Sequence, residues 1–129
     1  MADWLSPEWA EEAAGLCRLL PEAPGARGSV TLSFVVAPRR EVGFHWLYEE
    51  GRVAGSGPGP AADADLTLSL AAADAADLLA GRVEPSVAFM RGRLKATGDG
   101  GILLAFLEST TFPGYAGWRE AVAGVSPVP

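Results

Sequence analysis

Residues 64–109, ADLTLSLAAADAADLLAGRVEPSVAFMRGRLKATGDGGILLAFLES, carry the pattern that decides the fold. Leucines alternate strictly with hydroxyl residues over 66–70, which predicts a half-buried strand. Short apolar stretches bounded by Gly and Pro follow it and predict helices, with one further alternating strand between them. The elements predicted after the first strand are helices over 71–80 and 85–90, a strand over 93–97 and a helix over 102–107.

The N-terminal half predicts one helix followed by a three-stranded meander. Ser6 is placed to cap a helix that has Pro7 at its first position, within an N-terminal helical segment assigned to residues 1–25. Three strands follow, with a hairpin turn at Glu49-Glu50-Gly51. Gly57-Pro58-Gly59-Pro60 excludes regular structure, so we expect a crossover to the far side of the sheet. The three strands are predicted over 29–36, 41–48 and 52–57.

The predicted strands have one apolar face and one polar face. Large hydrophobic side chains share one face and are expected to lie beneath the helices. A two-layer α+β domain follows, with its polar face open to water. The residues expected on the wet face are Thr31, Ser33, His45, Thr67, Ser69, Arg93 and Lys95.

Length and composition predict a single globular domain over residues 1–129, with an aromatic tail or lid over 110–129. The net charge of −6 argues against nucleic acid as a partner, and the basic cluster of Arg91, Arg93 and Lys95 is too small to reverse it. A lone cysteine, the absence of a signal-peptide pattern and the lack of a transmembrane segment predict a cytoplasmic protein. The absence of Asn and Gln and the excess of Arg over Lys are typical of a GC-rich bacterial genome.

Short apolar helices over a sheet predict a container for an apolar guest, because aromatic and Met side chains suit an adaptable pocket. The alternative is that these side chains pack only as core. Burial at about 0.8 kcal/mol per CH₂ gives a ten-methylene chain about 8 kcal/mol, so micromolar affinity is expected after ordering costs. The candidate ligand-binding residues are Phe34, Trp46, Phe89, Met90, Leu103, Phe106, Leu107, Phe112, Tyr115 and Trp118.

The titratable residues give no catalytic or metal-binding pattern, and no cofactor is predicted. His45 is expected on the wet surface, and Cys17 is a structural thiol within the first helix. Asp99 is placed to cap the last predicted helix. Asp63 and Asp65 lack the further ligands that a cation site needs. Asp74 and Asp77 are interpreted as the solvent-facing side of a predicted helix.

An ordered series of short motifs resembles the sterol carrier protein type-two family, whose members are non-specific lipid-binding domains. The resemblance covers roughly the second half of the chain. It is carried by Ala64-Asp65-Leu66-Thr67-Leu68-Ser69-Leu70, Leu79-Ala80-Gly81-Arg82, Ala88-Phe89-Met90-Arg91-Gly92-Arg93-Leu94-Lys95 and Gly98-Asp99.

The resemblance implies a five-stranded mixed sheet with helices on one face, enclosing an apolar tunnel for sterols, fatty acids or acyl chains. It also implies that many members bind without catalysis and that some are accessory domains of enzymes. This chain departs from the family pattern after Asp99, at Gly100 and Gly101 and in the aromatic segment 112–118.

Two functional hypotheses remain open on the sequence. The first is a carrier or sequestering module for an apolar small molecule that is lipid-like, sterol-like, acyl or polyketide-like. The second is a small natural-product tailoring enzyme, a cyclase or isomerase, that uses the same cavity with Tyr48, Tyr115, Asp99 and Glu108 as acid–base groups. Beside these two, a protein–protein docking module could use Trp4, Trp9, Tyr115 and Trp118 as exposed aromatic residues, and the tail could also form a homodimer or contact an enzyme partner.

Overall fold

The computed structural model describes residues 3–37 and 40–127 and contains one mixed sheet with helices packed on it. The strands are β1 Gly28–Ala37, β2 Arg40–Glu49, β3 Arg52–Pro58, β4 Leu66–Ala71 and β5 Lys95–Gly98. The helices are α1 Pro7–Gly15, α2 Ala72–Leu79, α3 Pro85–Met90, α4 Gly100–Ser109 and α5 Pro113–Ala123, with a 3₁₀ turn at Leu16–Leu19.

The sheet has five strands in the order β3-β2-β1-β4-β5. Pairing is antiparallel except between β1 and β4, which run parallel because the chain crosses over after β3. The expected crossover and the five-stranded mixed sheet are therefore confirmed. The expectation that residues 57–60 exclude regular structure is wrong at its start, since β3 continues through Gly57 to Pro58. The fifth strand begins at Lys95, two residues later than the sequence pattern predicts, and Arg93 lies outside it.

Local capping signals in the sequence set the helix boundaries. The Ser6 hydroxyl accepts from the Trp9 backbone N–H at 3.1 Å, and the Asp99 carboxylate accepts from the Ile102 N–H at 2.9 Å. Gly81 follows α2 with a φ of 79°, as a C-terminal glycine should. The first helix is shorter than the segment 1–25, since its backbone tightens to a 3₁₀ turn after Gly15.

The hairpin between β2 and β3 has the geometry that its sequence predicts. Glu50 and Gly51 both take positive φ, at 49° and 83°, as the central residues of a type I′ turn do. A Cβ on Gly51 would lie 2.8 Å from the Ala23 carbonyl oxygen, so the close approach of that loop also requires glycine.

Strand register places the large apolar side chains on the face that carries the helices. Val30 stands opposite Trp46 and Leu66, and the next pairs on this face are equally apolar. Helix α1 is fixed to this face by the Ser56 hydroxyl of β3, which donates to the Ala14 carbonyl at 2.7 Å. The buried residues contributed by the sheet are Val30, Leu32, Phe34, Val42, Phe44, Trp46, Tyr48, Leu66, Leu68 and Leu70.

The opposite face, which we call the outer face, is only partly wet. Thr31 and Ser33 were expected to be open to water, but they are 4% and 8% exposed. The crossover over residues 59–65 covers them, since the Ala61 backbone N–H donates to the Thr31 hydroxyl at 3.0 Å. The expectation of an open polar face is thus wrong at its centre, because the crossover passes over these two residues and shields them from water.

Candidate functional site

Aromatic rings form a continuous layer between the sheet and the helices. Trp46 occupies its centre, with ring centroids 6.1 Å from Phe44, 6.2 Å from Tyr48 and 5.7 Å from Phe106 of α4. Such separations are typical of tilted and edge-to-face aromatic pairs. We call this set the aromatic layer; its members are Trp9, Phe34, Phe44, Trp46, Tyr48 and Phe106.

Several polar atoms in this region are buried without a hydrogen-bond partner among the described residues. In the aromatic layer they are the indole nitrogens of Trp9 and Trp46 and the hydroxyl of Tyr48. An unpaired buried donor costs about 1–3 kcal/mol relative to a satisfied one. The layer therefore combines an apolar surface with donors that a bound molecule carrying an oxygen acceptor would satisfy.

Tyr48 is the titratable member of the aromatic layer. Burial raises the pKa of its hydroxyl to about 12, whereas side-chain hydrogen bonding with Trp46 and with Ser109 acts to lower it. These two contacts fall short of full hydrogen-bond geometry, so the hydroxyl counts as unpaired. The Ser109 hydroxyl itself donates to the Phe106 carbonyl at 2.6 Å, so its proton is already used. Tyr48 stays neutral at physiological pH and is available as a donor rather than as a base.

By burial, the ten predicted ligand-binding residues fall into three groups: six are buried, two are half-buried and two are exposed. Phe34, Trp46 and Phe106 belong to the aromatic layer, while Tyr115 and Trp118 form a second pair with ring centroids 5.7 Å apart. The residues that are buried are Phe34, Trp46, Phe106, Leu107, Tyr115 and Trp118. Leu103 and Phe112 are half-buried.

Phe89 and Met90 lie at the surface instead, at 36% and 83% exposure. Helix α3 is six residues long and buries only Pro85 and Ala88, so its last turn points away from the core. An exposed position for Met90 disagrees with the prediction that it lines an internal pocket. Helical spacing in the sequence could not reveal this, because six residues do not define a face.

A cavity of about 330 Å³ opens where the end of α4 and the start of α5 meet the loop after α2. Phe112, Tyr115 and Arg119 line it, together with Glu84 from the α2–α3 loop. The Tyr115 hydroxyl is buried without a partner among the described residues, and burial raises its pKa strongly. The aromatic tail therefore folds as a helix, α5, whose first turn forms a wall of this cavity.

A larger cavity, of about 400 Å³, lies beneath the crossover at the outer face and reaches the sheet edge next to α1. Sequence reasoning missed it. The available signal was the small-residue composition of the crossover, which leaves room over a strand face that also carries small hydroxyl side chains. Its lining residues are Pro7, Ala10, Thr31, Leu32, Ser33, Glu41, Val42, Gly43, Pro58, Gly59, Pro60, Ala61, Ala64 and Thr67.

The basic cluster is partly neutralised by the acidic pair on α2. Arg93 donates from Nε to Asp74 at 2.6 Å and from its terminal nitrogen to Asp77 at 2.5 Å. The interpretation of these two aspartates as merely solvent-facing is therefore incomplete. Only Arg91 and Lys95 of the cluster remain exposed outside this network.

The remaining titratable candidates have structural roles. Cys17 is fully buried, and burial raises the pKa of its thiol to about 12. The Asp65 carboxylate accepts from the Ser29 backbone N–H at 2.8 Å. Within residues 3–37 and 40–127, no three His, Cys, Asp or Glu residues are grouped as metal ligands. In the same residues, no helix is both long enough and apolar enough to cross a membrane.

Solved structures share this architecture. A conserved hypothetical protein of Thermus thermophilus, described as a possible sterol carrier protein, matches with a TM-score of 0.68 and 21% identity over 97% of this chain and 91% of that one. A crystal structure of sterol carrier protein 2 matches with a TM-score of 0.67 and 22% identity over 93% and 97%. A palmitated sterol carrier protein 2-like protein of Aedes aegypti matches with a TM-score of 0.54 and 14% identity, over 64% of this chain and 71% of that one.

These likenesses define the class of fold: a mixed five-stranded sheet with helices packed on it, as in the sterol carrier proteins. The profile of the SCP-2 sterol transfer family matches residues 29–108, from the start of β1 to the end of α4, and the chain belongs to this family. No curated protein sequence matches the chain. The resemblance stated from the motifs of residues 64–99 is thereby confirmed.

Proposed function

We propose that this protein binds an apolar small molecule, such as a lipid, a sterol-like molecule, an acyl chain or a polyketide-like molecule, and acts as its carrier or sequestering module. The observation that carries the proposal is the aromatic layer with its unpartnered donors at Trp46 and Tyr48. Membership of the SCP-2 sterol transfer family supports it. The lone buried Cys17 is in keeping with a reducing compartment such as the cytoplasm.

The layer suits a ligand with a long apolar body and one oxygen acceptor. Apolar burial supplies the affinity, at about 0.8 kcal/mol per CH₂. A carbonyl or hydroxyl oxygen that accepts from the Trp46 indole N–H or the Tyr48 hydroxyl would satisfy a donor that is otherwise unpaired. No cation belongs to the layer, so a charged head group would lie outside it.

Entry of a ligand requires the helical side of the layer to give way. Phe106 joins α4 to Trp46, and the half-buried Leu103 lies one turn earlier on the same helix. The cavities of about 330, 400 and 440 Å³ all lack Trp46 and Phe106 in their described walls, and the last of them reaches the aromatic layer at Tyr48 alone. We therefore expect binding to displace α4 from the sheet. The segment after it, containing α5, would then act as a lid.

Displacement of a fluorescent fatty acid, together with native mass spectrometry of protein purified without detergent, tests the proposal. Wild-type protein should release the probe to an acyl or sterol-like competitor with micromolar affinity. Trp46→Phe keeps an aromatic ring but removes the N–H, so a ligand with an oxygen acceptor should bind about tenfold more weakly. A purely hydrocarbon competitor should be unaffected.

Leu47→Ala is the matched control, because Leu47 is the next residue on β2 and is exposed on the outer face. Its affinity for both competitors should equal that of the wild type. Failure of the wild-type protein to bind the probe at tens of micromolar would overturn the proposal. Light scattering of the same material tests the predicted homodimer, and co-purification tests an enzyme partner.

The second candidate function is a tailoring enzyme that folds a hydrophobic substrate for cyclisation or isomerisation. The observation that favours it is the pair of buried hydroxyls on Tyr48 and Tyr115, both with a raised pKa and both without partners among the described residues. Neutral tyrosines would serve as proton donors. Asp99 is occupied as a helix cap and Glu108 is exposed, so neither of these two candidates is a buried base. Turnover that is lost in Tyr48→Phe with unchanged ligand affinity would establish the enzyme.

A further inference from the structure

At the crossover, residues 58–64 cover part of the outer face and are held there by hydrogen bonds; we call this segment the roof. The Gly59 backbone N–H donates to the Gly43 carbonyl at 2.8 Å, and the Gly59 carbonyl lies 2.9 Å from Nδ1 of His45. One step further along, the Ala61 N–H donates to the Thr31 hydroxyl at 3.0 Å. Prolines on either side of Gly59 restrict the backbone. Three hydrogen bonds and two prolines therefore hold the roof in place above β1 and β2.

The cavity of about 400 Å³ beneath this roof is within the size range of small-molecule sites. Part of its wall is apolar, contributed by Leu32, Val42, Pro58 and Ala10. The roof itself presents only small side chains, such as Ala61 and Ala64, between the glycine–proline segment and β4. These small side chains are the reason that the space is open.

Hydroxyl groups line the floor of the cavity. Ser33 is largely buried and brings a hydroxyl side chain to the cavity lining. Thr31 accepts from the Ala61 N–H and keeps its own proton for donation. Thr67 stands beside Thr31 in the parallel pair of β1 and β4. The floor can thus donate to and accept from a polar head group.

The described lining of the cavity carries a negative charge and no positive one. Among the lining residues whose side chains the structure describes, Glu41 is the sole charged one, and none of these is an Arg or a Lys. A carboxylate or phosphate head group would meet no cation among these residues and would face the Glu41 carboxylate. A hydroxyl or ammonium head group has hydrogens to donate and meets no such repulsion.

We infer that the crossover cavity is a second binding site, which takes a small amphiphile with an apolar body and a hydroxyl or ammonium head. The site is distinct from the aromatic layer because no residue of that layer lines it: Thr31 and Ser33 border it from the outer face, and Leu32, Val42 and Ala10 border it from the helical side at the sheet edge. It does not depend on the proposed carrier function: a hydroxyl head group suits both sites, whereas an ammonium head group suits the crossover cavity and not the aromatic layer.

Titration of isotope-labelled protein with octanol, octylamine and octanoate, followed by amide NMR, tests this site. Octanol and octylamine should shift the amide signals of Gly59 and Ala61, whose N–H groups hold the roof. Octanoate should bind there at least about tenfold more weakly than octylamine. Equal shifts at these amides with octanoate, or no shift with any of the three at millimolar concentration, would overturn the inference.

Ala61→Leu fills the cavity from the roof, and Ala62→Leu is its matched control. Ala62 is exposed, is adjacent in the same segment and does not line the cavity. Ala61→Leu should abolish the octylamine shifts, whereas Ala62→Leu should keep them. If Ala61→Leu unfolds the protein, Ala64→Leu serves as the cavity-filling variant instead, because Ala64 also lines the cavity, and it should likewise abolish the octylamine shifts. Unchanged octylamine affinity in the folded cavity-filling variant would overturn the inference.

The indole signal of Trp46 separates this site from the carrier function. A ligand in the aromatic layer shifts that signal, and Ala61→Leu should leave the shift intact. Absence of any Trp46 shift with long-chain lipids speaks against the proposed carrier function alone. Absence of Gly59 and Ala61 shifts with octylamine speaks against the crossover site alone.

Discussion

The ring centroids of Trp46 and Phe106 lie 5.7 Å apart and join the central part of the sheet to α4. This pair is the contact through which a helix that begins at an aspartate cap reaches the aromatic layer. A substitution that weakens the Trp46–Phe106 contact should therefore change both the free energy of unfolding and the access of a ligand to the aromatic layer.

Replacing Phe106 by Ala should lower the free energy of unfolding by about 3–5 kcal/mol, because it removes a buried ring and leaves a cavity against Trp46. Urea unfolding followed by tryptophan fluorescence measures the change. Leu104→Ala, on the same helix but 69% exposed, should stay within about 0.5 kcal/mol of the wild type. A loss as large for Leu104 as for Phe106 would show that α4 packs through a different face.

Replacing Asp99 by Ala should cost about 1 kcal/mol, because the N–H of Ile102 loses its acceptor at the start of α4. Asp99→Asn keeps a capping oxygen and should cost much less. Denaturant unfolding gives both values. Equal losses for Asn and Ala would mean that the charge, rather than the cap, stabilises the helix.

The ion pairs around Asp77 make stability depend on acid pH. Hydrogen bonds from Arg82, and then from Arg93, lower the pKa of Asp77 from its ordinary value of 3.8. The folded protein therefore binds this proton less tightly than the unfolded chain does. These ion pairs therefore stabilise the folded protein fully at pH values above the ordinary pKa of Asp77. Their contribution is lost as the pH falls through the lowered pKa that Asp77 has in the folded state.

Denaturant midpoints measured from about pH 7 to about pH 3 should fall less in Asp77→Asn than in the wild type. Glu12→Gln is the control, since Glu12 is an exposed acid on α1. Its acid dependence should match that of the wild type. A midpoint in Asp77→Asn that falls as steeply as in the wild type would assign the acid sensitivity to other groups.

Cys17 should be inert towards thiol reagents in the folded protein. Its thiol is buried, lies 3.7 Å from the Ala13 carbonyl oxygen, and has a pKa raised to about 12, so the reactive thiolate is scarce at neutral pH. A chromogenic disulfide reagent should titrate one thiol in concentrated urea and almost none without it. The sequence placed Cys17 within the first helix, but it lies in the 3₁₀ turn Leu16–Leu19, so fast labelling of the native protein would show that this turn opens readily.

Local patterns in the sequence predicted most of the elements, for reasons visible at single residues. The alternation of 66–70 defines β4 because the side-chain period of a strand is two. Ser6, Gly81 and Asp99 mark helix ends because unpaired backbone groups there need a partner or a positive φ. The end of β3 at Pro58 follows from the missing N–H of proline.

The candidate site was less predictable. Phe34, Trp46 and Phe106 come together as proposed, whereas Met90 faces solvent because a six-residue helix gives too little period to assign a face. The role of the ten residues in binding a ligand stays a prediction. The cavity beneath the crossover has no sequence signature of its own, since it depends on how far a loop stands from a strand that is distant along the chain.

By itself, the sequence determined the class of fold, the family and the identity of the apolar face, because these depend on short-range periodicity and on capping. Only the tertiary structure decided that β1 pairs in parallel with β4, and that the crossover predicted by the glycine–proline segment covers Thr31 and Ser33. The reason is physical: the crossover contact joins Ala61 to Thr31, two residues that are far apart along the chain. No local preference specifies what space remains between such distant segments.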